Sequence, residues 1–126
     1  MIGKQGIIIF DEEGFARVCS AMLVAEGYIV ETLSTADKLP SALEGGNLEL
    51  IITSYPYSAS VFEDIKRKGI PTIILADNIN KELIEILNAF DNSYCMIKPL
   101  DYYRFRHLVR QVMVGDLRHE GGYAIV

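Results

Sequence analysis

The chain has little that would suit it to nucleic acid, a metal centre or a membrane. Lysine and arginine number 12 against 17 aspartates and glutamates, for a net charge of −5. Phosphate binding draws on clustered Lys and Arg, so this balance argues against a nucleic-acid surface as the main function. Only two cysteines occur, Cys19 and Cys95, both in apolar periodic segments. They read as buried reduced thiols rather than a disulfide. His107 and His119 have no Cys, His or acidic partner at metal-ligand spacing. No apolar run reaches transmembrane length, and the start lacks the basic and apolar regions of a signal peptide. A soluble, cytoplasmic protein is expected. No glycine-rich phosphate cradle follows any candidate strand.

What is present is an ample core. The chain has 126 residues, half of them apolar, which suits one compact domain over 1–126. The stretch Leu48-Glu49-Leu50-Ile51-Ile52-Thr53-Ser54-Tyr55-Pro56 reads as a buried strand stopping at a polar residue, then a proline turn. Ile7 to Phe10 is a second such run, ending at Asp11-Glu12-Glu13. Phe15, Val18, Cys19, Met22 and Leu23 recur at helical spacing, and Gly27 stops that helix. Tyr28 to Val30 is a brief strand. A second helix is expected from Ala36 to about Leu43, capped by Ser34 or Thr35, weakened at Pro40 and ended by Gly45-Gly46.

A short helix opens at Ser58 to Ser60 and ends at Gly69. Pro71 to Leu75 is the fourth strand, closing at Ala76-Asp77. Asn78 or Asn80 caps a helix with Leu83, Ile84, Leu87 and Phe90 on one face. Tyr94 to Ile97 is the fifth strand, ending at Lys98-Pro99. Phe105, Leu108, Val109, Val112 and Met113 mark the last helix, and Gly121-Gly122 breaks any continuation. The core is expected over about 7–114, with 115–126 a frayed apolar tail.

Five alternations of strand and helix predict an α/β fold: a doubly wound, five-stranded parallel sheet of order 2-1-3-4-5, with helices on both faces. The ends of the first and third strands then meet at the switch point. That brings Asp11, Glu12 and Ser54 together, with Lys98 arriving from the fifth strand.

These residues resemble the receiver domain of two-component response regulators, over about Ile7 to Met113. Ile7 to Glu13 resembles the family's acidic pair, Leu50 to Ser54 the strand carrying the phosphorylated aspartate, and Ile70 to Ala76 the fourth strand. Met96-Ile97-Lys98-Pro99 resembles its lysine–proline turn. The resemblance implies a cis Lys98–Pro99 peptide, Asp11 and Glu12 as metal ligands, and Lys98 as the phosphate contact. In the family, a carboxylate attacks phosphorus while Mg²⁺ neutralises the charge.

Three positions depart from that pattern. Ser54 stands at the phosphoacceptor, Ala76 at the hydroxyl that follows the phosphoryl group, and Cys95 at the switch aromatic. Tyr94 is one place too early, on the opposite face. Losing one carboxylate forfeits several kcal/mol of attraction for Mg²⁺, from roughly 4 kcal/mol per unit-charge pair at short range. Weak or absent Mg²⁺ binding is therefore expected, with Asp11 and Glu12 a residual site and no other cofactor. Lys98 is expected to pair with Asp11 or Glu12. Tyr55 and Tyr57 are expected to shield the site.

The function expected is a non-enzymatic, receiver-like signalling module in phosphorelay, acting by protein–protein contact without conventional Asp phosphorylation. Its partner would be a histidine kinase or downstream effector, or a second copy in a homodimer. The resemblance points to the face of the fourth helix, fifth strand and fifth helix, with Tyr102, Tyr103, Arg104 and Arg106 near its start. Two alternatives remain: an active receiver using Ser54 or Thr53 as acceptor, and a flavodoxin-like domain binding an anionic ligand in the same crevice.

Overall fold

A computed structural model describes residues 6–44, 47–57, 61–90, 92–115 and 123–126. Its elements run β1 (Gly6–Phe10), α1 (Glu13–Ala25), β2 (Ile29–Leu33), a 3-10 turn (Ala36–Lys38), α2 (Leu39–Leu43), β3 (Leu48–Tyr55), α3 (Phe62–Lys68), β4 (Thr72–Ala76), α4 (Lys81–Ala89), β5 (Ser93–Ile97), α5 (Tyr102–Val114) and β6 (Tyr123–Ile125). The strands form one sheet, ordered β2-β1-β3-β4-β5-β6, and every pairing is parallel.

The continuous apolar runs work as expected for strands buried on both faces. Ile7, Ile9, Leu50, Ile52, Ile73, Leu75, Tyr94 and Met96 point to one side, where α1 and α5 cover them with Cys19, Leu23, Phe105 and Leu108. Ile8, Phe10, Ile51, Ile74, Ala76 and Cys95 point to the other, under α2, α3 and α4. Adjacent residues of one strand thus feed two separate cores, following the two-residue period.

Helix ends follow local chemistry. Asn80 Oδ1 accepts from Leu83 N at 2.8 Å and starts α4. Asp101 Oδ1 accepts from Tyr103 N and Arg104 N and starts α5. Gly27 closes the turn after α1 with φ of 98°, a conformation side chains resist.

Three expectations change. The sheet has six strands, not five, because Tyr123–Ile125 is not a frayed tail. It pairs in register with Ser93–Cys95 and satisfies the open edge of β5, and Val126 N adds a bond to Cys95 O at 2.8 Å. The helix expected over Ala36 to Leu43 is divided. Pro40 falls in the first turn of α2, where its missing N–H costs nothing, and Ala36–Lys38 forms a separate 3-10 turn. Thr35 holds the N-cap position without a side-chain capping bond. The second strand is longer than Tyr28 to Val30, running Ile29–Leu33 along β1. Gly45-Gly46, Ser58 to Ser60, His119 and Gly121-Gly122 lie outside the described residues. No helix among the described residues is long and apolar enough to cross a membrane.

The two kinds of stabilisation differ in size. Phe105 is fully buried between α5 and the sheet, so Phe105→Ala should lower unfolding free energy by about 3–5 kcal/mol. Asn80→Ala removes one cap and should cost about 1 kcal/mol. Urea denaturation of both variants checks the ranking.

Candidate functional site

The site lies at the carboxyl ends of β1 and β3, where a doubly wound sheet opens its crevice. Phe10 pairs with Thr53 in the parallel ladder, which brings Asp11 beside Ser54. Asp11 is only 1 % exposed and Ser54 only 2 %. Ser54 Oγ donates a hydrogen bond to Asp11 Oδ2. Glu12 N donates to Asp11 Oδ1 at 2.8 Å. Each carboxylate oxygen of a nearly inaccessible aspartate therefore has a donor, as burial of a charge requires. One residue earlier, Thr53 Oγ1 donates to Phe10 O at 2.7 Å and fastens the same two strands.

The other two members of the expected constellation are placed differently. Glu12 is the N-cap of α1: its Oε1 accepts from Phe15 N at 2.9 Å, and the residue is exposed. Lys98 does not pair with Asp11 or Glu12. Its Nζ sits over the Phe15 ring, 4.6 Å from the centroid, and it takes part in no salt bridge among the described residues. A cation over an aromatic face gains from the ring quadrupole and keeps contact with water. The Lys98–Pro99 peptide is cis, as expected, and so is Tyr55–Pro56. Sequence reasoning missed Phe15 as the partner of Lys98; an aromatic in the first turn after the acidic pair was the available signal.

Ala76 and Cys95 are both buried, on the side of the sheet covered by α4. Tyr94 is buried on the opposite side, so no aromatic stands three residues before Lys98. Tyr55 reaches outward instead. Its hydroxyl donates to Glu82 Oε2 at 2.8 Å, and its ring stacks on Phe62. Tyr57 donates to Ser34 O at 2.6 Å and packs on Phe10. The two tyrosines fasten the loop after β3 to α4 and to the end of β2. On α5, Tyr102 and Arg104 are two residues apart and fall on opposite flanks, while Tyr103 and Arg106 share a cavity with Glu26, His107 and Arg110. The four residues expected as a partner surface do not form a single face.

Both acids are already engaged: the oxygens of Asp11 accept from Ser54 and Glu12, and Glu12 Oε1 caps α1. Among the described residues no three His, Cys, Asp or Glu side chains are grouped to hold a metal ion. Mg²⁺ surrenders its waters only to well-placed anionic ligands.

Asp11 and Lys98 both act on Cys19. Burial pushes the Cys19 thiol up to about 12, Asp11 adds to the rise, and Lys98 opposes it. Burial also raises Cys95.

No family model matches the chain, and no curated protein matches its sequence. Solved structures do. A two-component response regulator from Clostridium difficile superposes with a TM-score of 0.78 at 15% identity, covering 91% of this chain and 100% of that one. A CheY-like receiver domain from Methanospirillum hungatei JF-1 gives 0.74 at 19% identity, covering 90% and 96%. A Thermotoga maritima response regulator in complex with Mg²⁺ and BeF gives 0.65 at 16% identity, covering 86% and 98%. The chain has the fold of response regulator receiver domains.

Two outcomes check this geometry. Ser54→Ala strips a donor from a buried carboxylate and should cost about 1–3 kcal/mol in denaturation. For Cys19, a thiol held at about 12 leaves roughly one molecule in ten thousand as thiolate at pH 8. The native protein should therefore resist a chromogenic disulfide reagent at pH 8. Both cysteines should react once it is unfolded.

Proposed function

We propose that this protein is a receiver-fold signalling module of the two-component type that works by protein–protein contact and carries no acyl phosphate. One observation supports the reading above the rest: at the phosphoacceptor position a serine hydroxyl donates to the buried Asp11. Asp11 stands where a base for that hydroxyl would, but Ser54 is only 2% exposed and its hydroxyl is turned toward the buried carboxylate, away from any phosphoryl donor in solution. Thr53, the other hydroxyl considered, is wholly buried and donates to Phe10 O.

The positions that would relay a signal agree with this. Ala76 has no hydroxyl to follow a phosphoryl group, and Cys95 has no ring to swing inward. The domain then stays in one state, is not an enzyme, and uses Mg²⁺ weakly or not at all. Its partner is a histidine kinase, a downstream effector or a second copy. β6 lies along the edge of β5, so a partner at the α4–β5–α5 side meets β6 rather than β5.

Incubation with acetyl phosphate, or with beryllofluoride and Mg²⁺, should change neither the mass nor the melting temperature of the protein. Near-stoichiometric phosphorylation of Ser54 would overturn the reading. Ser54→Asp should lower stability in chelator, because two carboxylates then face each other, and Mg²⁺ should restore it. The thermal shift with Mg²⁺ should be larger in that variant than in the unchanged protein.

A further inference from the structure

The charge on α5 is not explained by the fold. Three of the chain's 12 lysines and arginines, Arg104, Arg106 and Arg110, lie on this helix, with His107 beside them and no acidic residue among them. The helix gains nothing from that placement. Arg104 is in the first turn, where the dipole disfavours positive charge, and no basic residue is in the last turn, where it would be favoured. Four other basic side chains are matched locally: Arg17 with Glu13, Lys66 with Glu63, Arg67 with Asp64 and Lys68 with Glu44. None of these salt bridges, which cover the described residues, includes an arginine of α5.

Position gives the surplus a shape. Tyr103, Arg106, His107 and Arg110 are spaced by three and four residues, so they form one stripe about 10 Å long on the helix. The stripe faces away from the buried residues Phe105, Leu108, Val109 and Met113. Tyr103 is 74% exposed. With Glu26, at the end of α1, the four residues line a cavity of about 190 Å³.

We propose that this stripe is a docking surface for an acidic helix of a partner protein, with carboxylates at matching three- and four-residue spacing. An arginine fork suits carboxylates in two-point contacts, and an exposed tyrosine beside arginines supplies apolar area at small entropic cost. Nucleic acid is the less suitable anion, because the rest of the molecule is strongly acidic and repels a long polyanion. Glu26 is the one group in the cavity that opposes an acidic partner. The inference rests on the reading that the protein works by contact. It is separable from the silence of Ser54: phosphorylation there would overturn that reading and leave this surface as it is.

The test uses the isotopically labelled full chain and a synthetic amphipathic helical peptide with glutamates at that spacing. Chemical-shift changes should map to Tyr103, Arg106, His107, Arg110 and Glu26. Affinity should fall at least about tenfold between about 50 and 300 mM salt. Arg106→Glu with Arg110→Glu should abolish binding, and the milder Arg106→Gln with Arg110→Gln should weaken it. Glu26→Gln should strengthen it. Far-ultraviolet circular dichroism confirms that each variant is folded. A scrambled peptide of the same composition binding equally well would overturn the proposal. So would tighter binding to a short DNA duplex, or binding unchanged by charge reversal.

Discussion

A carboxylate withdrawn from water must find donors, and the crevice end of this sheet is built around that requirement. Asp11 is buried at the tip of β1. It is held by the hydroxyl of Ser54 on the neighbouring strand and by the backbone of the residue that follows. Removing either donor leaves a charge in a region where uncompensated charge is expensive. The arrangement is self-sufficient. With a carboxylate at position 54, two negative groups would face each other and the pair would need a cation between them. A hydroxyl makes the same neighbour into a donor.

The neighbouring residues make contacts of their own. Glu12 caps α1, which adds about 1 kcal/mol to that helix. Lys98 lies on the ring of Phe15 and takes up a contact that is energetically modest and leaves its ammonium hydrated. Both Cys19, on the buried face of α1, and Cys95, under α4, are thiols that burial keeps neutral. Short local contacts hold the polar groups at this end of the sheet.

Much of the fold was legible because the strands are buried on both faces. Runs such as Ile7 to Phe10 and Ile73 to Leu75 have no reading as an exposed element, and Asn80 and Gly27 mark helix ends for local steric and hydrogen-bonding reasons. The strands' order followed from right-handed crossovers. β6 escaped notice because three residues are too few for any period. Its pairing depends on an edge of β5 far back in the chain. β2 was read short since an edge strand leaves Ile29, Glu31 and Thr32 exposed, so hydrophobic patterning fades there. At the site, the Asp11–Ser54 contact followed from topology alone. The choices made by Glu12 and Lys98 did not, because a capping bond, an ion pair and an aromatic contact differ by about 1 kcal/mol. Rotamers, rather than residue types, decide among them.

A switch needs an element with two packings of comparable energy, and something to bias them. Beneath α4 this chain places Ala76 and Cys95, both small and both fully enclosed. Neither offers a polar group that a ligand at the crevice would attract, and a side chain as small as alanine has no second rotamer. Outside, Tyr55 bonds to Glu82 of α4 and stacks on Phe62, which meets Phe90 edge-on. The aromatic chain runs from the end of β3 across α3 to the end of α4. It rewards one arrangement of these elements. Packing of this kind favours a single arrangement of β3, α3 and α4 over two of comparable energy.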